Sequence, residues 1–378
     1  MTRRKWLALS AVTFSASCGR KNGTGFPGYA LIATAGETSL AIVDLADFRL
    51  LRSLPLGGAP QQVFASSAAR AAYVSTPGTG SLHAIGADLQ RRKSNKLADE
   101  LSGFRPAQDG RRLWAISSPS RELIEVDAQS LQARSRWKLP AEPASLDVSA
   151  DGSIAVSTGQ HGTVQLVDAK TGRQTTRDLG GPLGEVKFRP DGKVLLAANY
   201  HEQVLTVLEV PSLDVIVHLP LAMQPGNLCF NADGGQLFIT GKGMDAVAIA
   251  FPYLPLEVEQ TVLAGRDPGV MACSAAPAFL FVASASGSDV CILNVDNRKM
   301  IGLVEVGQKP SFIAVTPDSQ YALVLNENSG DVAVIHITSI QAKTANAAKM
   351  RGKSGAALFT MLPVGNRPVH AAIVPKPV

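Results

Sequence analysis

Several things are scarce in this chain. No stretch reaches the ~20 consecutive apolar residues that a membrane-spanning helix needs. Aromatic residues are only 6% of the 378. Cysteine occurs four times, as Cys18, Cys229, Cys273 and Cys291, and no pair has C-x-x-C or haem-attachment spacing. The expectation for the last three is that of small buried hydrophobes on strands. Catalytic signatures are missing as well: there is no G-x-S-x-G elbow and no H-E-x-x-H. The one literal G-x-G-x-x-G, "GTGFPG" from Gly23 to Gly28, has no strand before it, and Pro27 opposes a helix after it. It reads as a flexible linker rather than a nucleotide site.

Glycine (34) and proline (23) are plentiful, and the balance of 46% hydrophobic to 18% charged residues is that of a globular chain. This combination suits many short strands joined by tight turns.

The N-terminal segment, Met1 to Ser17, has the layout of an export signal: Arg3, Arg4 and Lys5, an apolar run from Trp6 to Phe14, then small residues up to Cys18. "TRRKWL" resembles a twin-arginine signal. "SASC" resembles a lipobox, which would make Cys18 a lipid-bearing first residue, although Ser15 stands where a lipobox carries leucine. Ser15-Ala16-Ser17 also passes as an ordinary cleavage site. Removing residues 1–17 takes away three basic residues and no acids, leaving 33 Lys+Arg against 31 Asp+Glu. The mature chain is nearly neutral, so no nucleic-acid partner is expected.

Internal repetition decides the fold class. Segments beginning at Tyr29, Ala72, Leu113, Ile154, Val194, Leu237, Phe279 and Tyr321 share one pattern at nearly even spacing. In each, an apolar strand leads through a small polar loop into a second strand, then a more polar third strand. A loop with proline follows, and then a fourth strand that closes on a turn such as "SADGS", "RPDGK" or "NADGG". Asp-Gly between alternating strands is a hairpin signal because both turn residues tolerate positive φ. Four strands per unit of about 40–45 residues predict propeller blades. The prolines Pro60, Pro106, Pro143, Pro182, Pro225, Pro268, Pro310 and Pro368 supply one marker per unit. The reading is all-β: a single eight-bladed β-propeller over residues 29–378, after a signal peptide (1–17) and a tether (18–28). Seven blades is the fallback, because the third strand of unit two, "RRKSNKLADE", is strongly charged. The last stretch, "VGNRPVHAAIVPKPV", supplies a loop and an innermost strand, and it is expected to complete the first blade by pairing with the strand at Tyr29.

"VGQKPSFIAVTPDSQYALVLNENSGDVAVIH" (Val306 to His336) resembles the YVTN-type repeat of bacterial β-propellers, and the resemblance extends over residues 29–378. It implies a fold more than a function, since such propellers include binding proteins, lactonase-like enzymes and relatives of the haem d1-binding propeller.

With strands A to D running from centre to rim, the D-to-A and B-to-C loops share one face, at the mouth of the central channel. The D-to-A loops are predicted to place Arg105, Arg266, Lys309 and Arg367 there. The B-to-C loops add His161 and His201 from successive units, with Lys242 and Asp245 in the next. These residues define a cationic mouth for an anionic ligand, with two imidazoles able to ligate a metal or haem iron or to move a proton. Two ligands are too few for a metal site of their own. Solvated turns explain the same residue types. His370 falls on an innermost strand, facing either the channel or the blade interior, while His83, His218 and His336 fall in other strand-like stretches. The insertion Ser339 to Ala357 carries Lys343, Lys349, Arg351 and Lys353 and no acids, so it is a solvated loop or a contact for anionic lipid or a partner.

The expected function is a non-catalytic binding module, periplasmic or at the cell surface and tethered through Cys18. It would be a monomer and would receive a protein or small anionic ligand. No metal is expected, and no cofactor, with a haem d1-like tetrapyrrole as one alternative that the resemblance implies. A lactonase-like hydrolase is the other; Glu37, Glu122, Glu202 and Asp245 on the B-to-C loops are available to it, with nothing in the sequence that singles them out.

Overall fold

The structure, a computed structural model, describes residues 25–253, 256–340 and 357–376. The signal peptide, Cys18 and the basic cluster Lys343, Lys349, Arg351 and Lys353 lie outside the described residues.

A strand with one apolar face must bury it against another layer, and here each unit does so against its neighbour around a ring. The chain forms β1 (Gly28–Thr34), β2 (Ser39–Asp44), β3 (Arg49–Pro55), β4 (Gln62–Ser66), β5 (Ala71–Thr76), β6 (Ser81–Gly86), β7 (Arg91–Lys96) and β8 (Gly103–Pro106). It continues through β9 (Arg112–Ser117), β10 (Glu122–Asp127), β11 (Ala133–Lys138), β12 (Pro143–Val148), β13 (Ser153–Thr158), β14 (Thr163–Asp168), β15 (Gln174–Asp178) and β16 (Leu183–Phe188). Then come β17 (Val194–Asn199), β18 (Val204–Glu209), β19 (Val215–Pro220), β20 (Gln224–Phe230), β21 (Leu237–Lys242), β22 (Ala246–Ala250), β23 (Val258–Leu263) and β24 (Pro268–Cys273). The last are β25 (Phe279–Ser284), β26 (Asp289–Asn294), β27 (Lys299–Glu305), β28 (Pro310–Val315), β29 (Tyr321–Asn326), β30 (Asp331–His336), β31 (Leu358–Pro363) and β32 (Pro368–Pro375).

These strands make eight four-stranded antiparallel sheets, an eight-bladed β-propeller. Seven sheets are consecutive meanders from β4–β7 to β28–β31, and the first blade is β32-β1-β2-β3. Its closing register sets Ala30 opposite Ile373 and Ile32 opposite Ala371. The charged β7 is a full blade strand, with Ser81 opposite Lys96 and His83 opposite Ser94, because only its edge position asks it to be polar. Eight blades hold, and the fallback of seven does not. Phe26, which the sequence assigns to the tether, is buried with Phe48 and Tyr321 in the seam between the last and first blades.

The core is a set of interblade layers. Leu31, Leu40 and Ile42 of the first blade meet Val63, Val74 and Ile85 of the second, and Phe281 and Ile292 of the seventh meet Ile313 and Val324 of the eighth. Complete burial of such a side chain contributes about 1.5–3 kcal/mol. Close to the axis the blades are joined through side chains, since neighbouring innermost strands belong to separate sheets. Gln62 accepts the Phe104 N–H (3.0 Å), Asp147 the Phe188 N–H (2.8 Å) and Glu185 the Leu228 N–H (2.8 Å), while Lys187 donates to the Leu228 carbonyl (2.8 Å). Nearer the rim, Arg52, Asn95 and Arg177 reach the carbonyls of Leu89, Leu131 and Leu213 in the next blade.

Candidate functional site

The mouth is built by pairing each D-to-A loop with a B-to-C loop. The residue before the loop proline turns its carbonyl into that pairing: Arg367 accepts from Ala35 N–H (2.7 Å), Asp267 from Ala285 (2.8 Å) and Lys309 from Glu327 (2.9 Å). All three hold positive φ, 55°, 47° and 55° respectively, a conformation few non-glycine residues adopt. The same geometry leaves Lys309 and Arg367 exposed at the mouth.

Those two cations are not free. Glu327, at the start of the B-to-C loop of the eighth blade, lies between them, 2.8 Å from Lys309 Nζ and 3.1 Å from a terminal nitrogen of Arg367. The Lys309 hydrogen bond first, then that of Arg367, holds the Glu327 carboxyl below its usual range, against some desolvation. Two other loop acids brace the backbone: Glu37 accepts the Asn366 N–H (2.8 Å) and Asp245 the Asp267 N–H (2.8 Å). Glu122 is the first residue of β10 and pairs with Arg136 (2.9 Å) and Lys138 (3.0 Å). Glu202 is exposed.

His161 and His201 stand exposed on the B-to-C loops of the fourth and fifth blades. Lys242 ends β21 and Arg266 lies in the loop before β24, both exposed. Arg105 departs from the sequence reading. It lies inside β8, the innermost strand of the third blade, rather than in the loop before it. Pro106 is the cause, because it closes that strand instead of opening it.

Arg105 belongs to a charged group along the axis. Its terminal nitrogen donates to the Phe104 carbonyl (3.0 Å), and its guanidinium carbon lies 4.7 Å from the centre of the Phe64 ring. Among the described residues no carboxylate comes within ion-pair distance of it. Asp147 and Glu185 act on it through space, and desolvation is the larger influence, lowering its pKa. Desolvation likewise raises Asp147, although it accepts from Phe188 and feels Lys187 and Arg105. Burial opposes the Lys187 ammonium, but Glu185 (3.4 Å), Cys229 and Asp147 outweigh it and raise its pKa.

His370, two residues into β32, is stacked on Phe312 (ring centres 4.1 Å apart) and met edge-on by Phe64 (4.8 Å). It bonds to the Val63 backbone, while its Nδ1 is sealed from solvent with no partner among the described residues. Desolvation, then the nearby Arg105 charge, lowers its pKa to about 3, so the ring is neutral at ordinary pH. No group of three or more His, Cys, Asp or Glu side chains suited to a metal is present among the described residues.

Sequence reasoning misses most of this axial group. The signal that could find it is the repeat itself: Phe64, Arg105, Asp147, Lys187 and Cys229 recur once per unit in five successive units. They occupy one position on successive innermost strands.

Fold and site together define an eight-bladed β-propeller with charged residues along its axis. No protein-family model matches the chain, and no curated protein matches it. Solved structures do. "Dihydro-heme d1 dehydrogenase NirN in complex with DHE" superposes with a TM-score of 0.76 at 14% identity, covering 93% of this chain and 75% of that one. Apo AztD from Citrobacter koseri gives 0.68 at 13% identity, covering 92% and 97%. Kuenenia stuttgartiensis hydrazine synthase gives 0.57 at 17% identity, covering 73% and 95%. At these identities the likeness is one of fold.

Proposed function

We propose that this protein is a binding propeller that admits a small anionic ligand through its mouth and anchors it on Arg105. The observation that carries this reading is the state of that guanidinium. It is desolvated, and among the described residues it has a single hydrogen bond to the protein and no carboxylate in contact. A guanidinium offers five N–H donors in a planar fork suited to carboxylate or phosphate. Lys242 and Arg266, exposed at the rim, supply a field that draws anions inward. The export layout of residues 1–17 and the lipobox-like Cys18 support a tethered location outside the cytoplasm.

Isothermal titration with a panel of mono- and dicarboxylates and inorganic phosphate tests the reading. At least one is expected to bind, with affinity reduced more than about tenfold in Arg105→Met. Equal binding by that variant, or no binding to the intact chain, would overturn it.

A second reading is favoured by the fold likeness to the NirN complex. In it the mouth takes a tetrapyrrole, with His161 or His201 as the nitrogen donor to its iron and Lys242 and Arg266 facing its carboxylates. The bound group would supply redox chemistry or be carried as cargo, and the protein's part would be to hold and orient it. An absorbance titration with haem decides: no Soret shift in the intact chain, or the same shift in the His161→Ala/His201→Ala double variant, removes this reading.

A further inference from the structure

The sulfurs of Cys229 and Cys273 lie 3.9 Å apart, contributed by the innermost strands β20 and β24 of neighbouring blades. Both thiols are free and only half-buried. They sit at the axial edge of the seam between the sixth and seventh blades, beside the fully packed Val247, Leu280 and Val282. Both cysteines are held in regular ladder, Cys229 opposite Phe238 and Cys273, the last residue of its strand, opposite Leu280, so the backbone fixes the two side chains toward one another.

We infer that Cys229 and Cys273 are a reversible dithiol–disulfide site that staples the sixth blade to the seventh. The reaction partner is a disulfide, either a small molecule entering the channel or a redox protein. Cys229, as its thiolate, attacks one sulfur of the partner, forming a mixed disulfide and releasing the other half as a thiol. Cys273 then loses its proton and attacks Cys229 Sγ, expelling the second thiol. Two electrons and two protons pass from the cysteine pair to the partner, and one S–S bond forms for the one that breaks. The sulfurs must close from 3.9 Å to about 2.05 Å.

The roles are unequal because the surroundings are. The thiolate of Cys229 is favoured by a hydrogen bond from Cys273 and by the Lys187 ammonium, with burial and Glu185 opposing. Cys273 is pushed the other way by that same hydrogen bond, by burial and by the charge on Cys229. Low thiol pKa beside a cation is the setting of a reactive cysteine. Cys291, buried on β26, has its pKa raised to about 12 by desolvation first and by Asp289 second. It is a built-in inert control.

The test uses the folded full chain and oxidised glutathione at neutral pH, followed by alkylation and peptide mapping. The expected product is a linked Cys229–Cys273 peptide pair, lighter by two hydrogens and reopened by a phosphine reductant. Cys291 should remain a thiol. Cys229→Ser and Cys273→Ser should each abolish the link, and Lys187→Met should slow its formation about tenfold and move the rate–pH profile to higher pH. Should Lys187→Met fold poorly, the profile of the unaltered chain still reports, since its midpoint must fall below the usual thiol value of about 8.5. Three results would overturn the inference: both thiols still alkylatable after oxidation of the folded protein, a link that forms only in denaturant, or glutathione retained on Cys229 with no transfer to Cys273.

Discussion

At the scale of single residues, Lys309 and Arg367 are not two free cations, because the one negative charge of Glu327 lies between them. Glu327→Gln should strengthen binding of a carboxylate or phosphate probe while lowering stability at neutral pH by about 1 kcal/mol or less, since both partners are well exposed. Its folded pKa is depressed, so its contribution is present above the unfolded carboxylate value and lost as pH falls. Urea midpoints at pH 7 and pH 4 should therefore differ less in Glu327→Gln than in the parent. His370 acts with the same sign for a different reason. A base whose pKa is about 3 when folded and near 6.5 when unfolded stabilises fully above pH 6.5, and that contribution drains away as the unfolded imidazole gains its proton. His370→Phe, which keeps the stack on Phe312, should flatten the loss of stability between pH 6.5 and pH 4. Chemical denaturation across that range measures it, and an unchanged slope would show that His83, held near 4 by burial, dominates instead.

At the scale of elements, the innermost strands depend on side chains for their lateral hydrogen bonds. Asp147→Ala leaves the Phe188 N–H without its acceptor, and Glu185→Ala does the same to Leu228. Each should cost about 1–3 kcal/mol, read as a lower denaturant midpoint with unchanged slope; a loss under about 0.5 kcal/mol would mean that water replaces the carboxylate. This scale also shows how far the sequence can be read. Strand order, blade count and the closing role of β32 are legible because one unit recurs eight times at nearly even spacing and each copy keeps its alternation. Arg105 is misplaced by that reading because β8 is short and Pro106 falls at its end, where a proline marker set by the other units points the wrong way. Cys229 and Cys273 look like separate buried hydrophobes in the sequence because their meeting depends on which face of each strand turns to the seam. A register shift after Pro225 and another after Pro268 set that facing, and alternation alone does not report such shifts.

At the scale of the whole molecule, β1 pairs with β32 over Gly28–Thr34, so the ring is joined between the two ends of the chain. Deleting residues 367–378 removes that strand, the Arg367–Glu327 pair and the His370 stack in one cut. A fall in melting temperature on the order of 10 °C or more is expected, measured by circular dichroism. A truncated chain that melts with the parent would contradict closure as the source of stability.

The same join imposes an order on synthesis. Gly28 and Pro375 are partners far apart along the chain, and bringing such distant residues together costs roughly 5 kcal/mol in loop entropy before any contact rewards it. Until β32 is made and free to pair, the other blades form an open arc. The unpaired edge of β1 is then a template for any extended segment nearby. The interval between completion of the eighth blade and pairing of β32 is therefore when this chain is most exposed to misassembly.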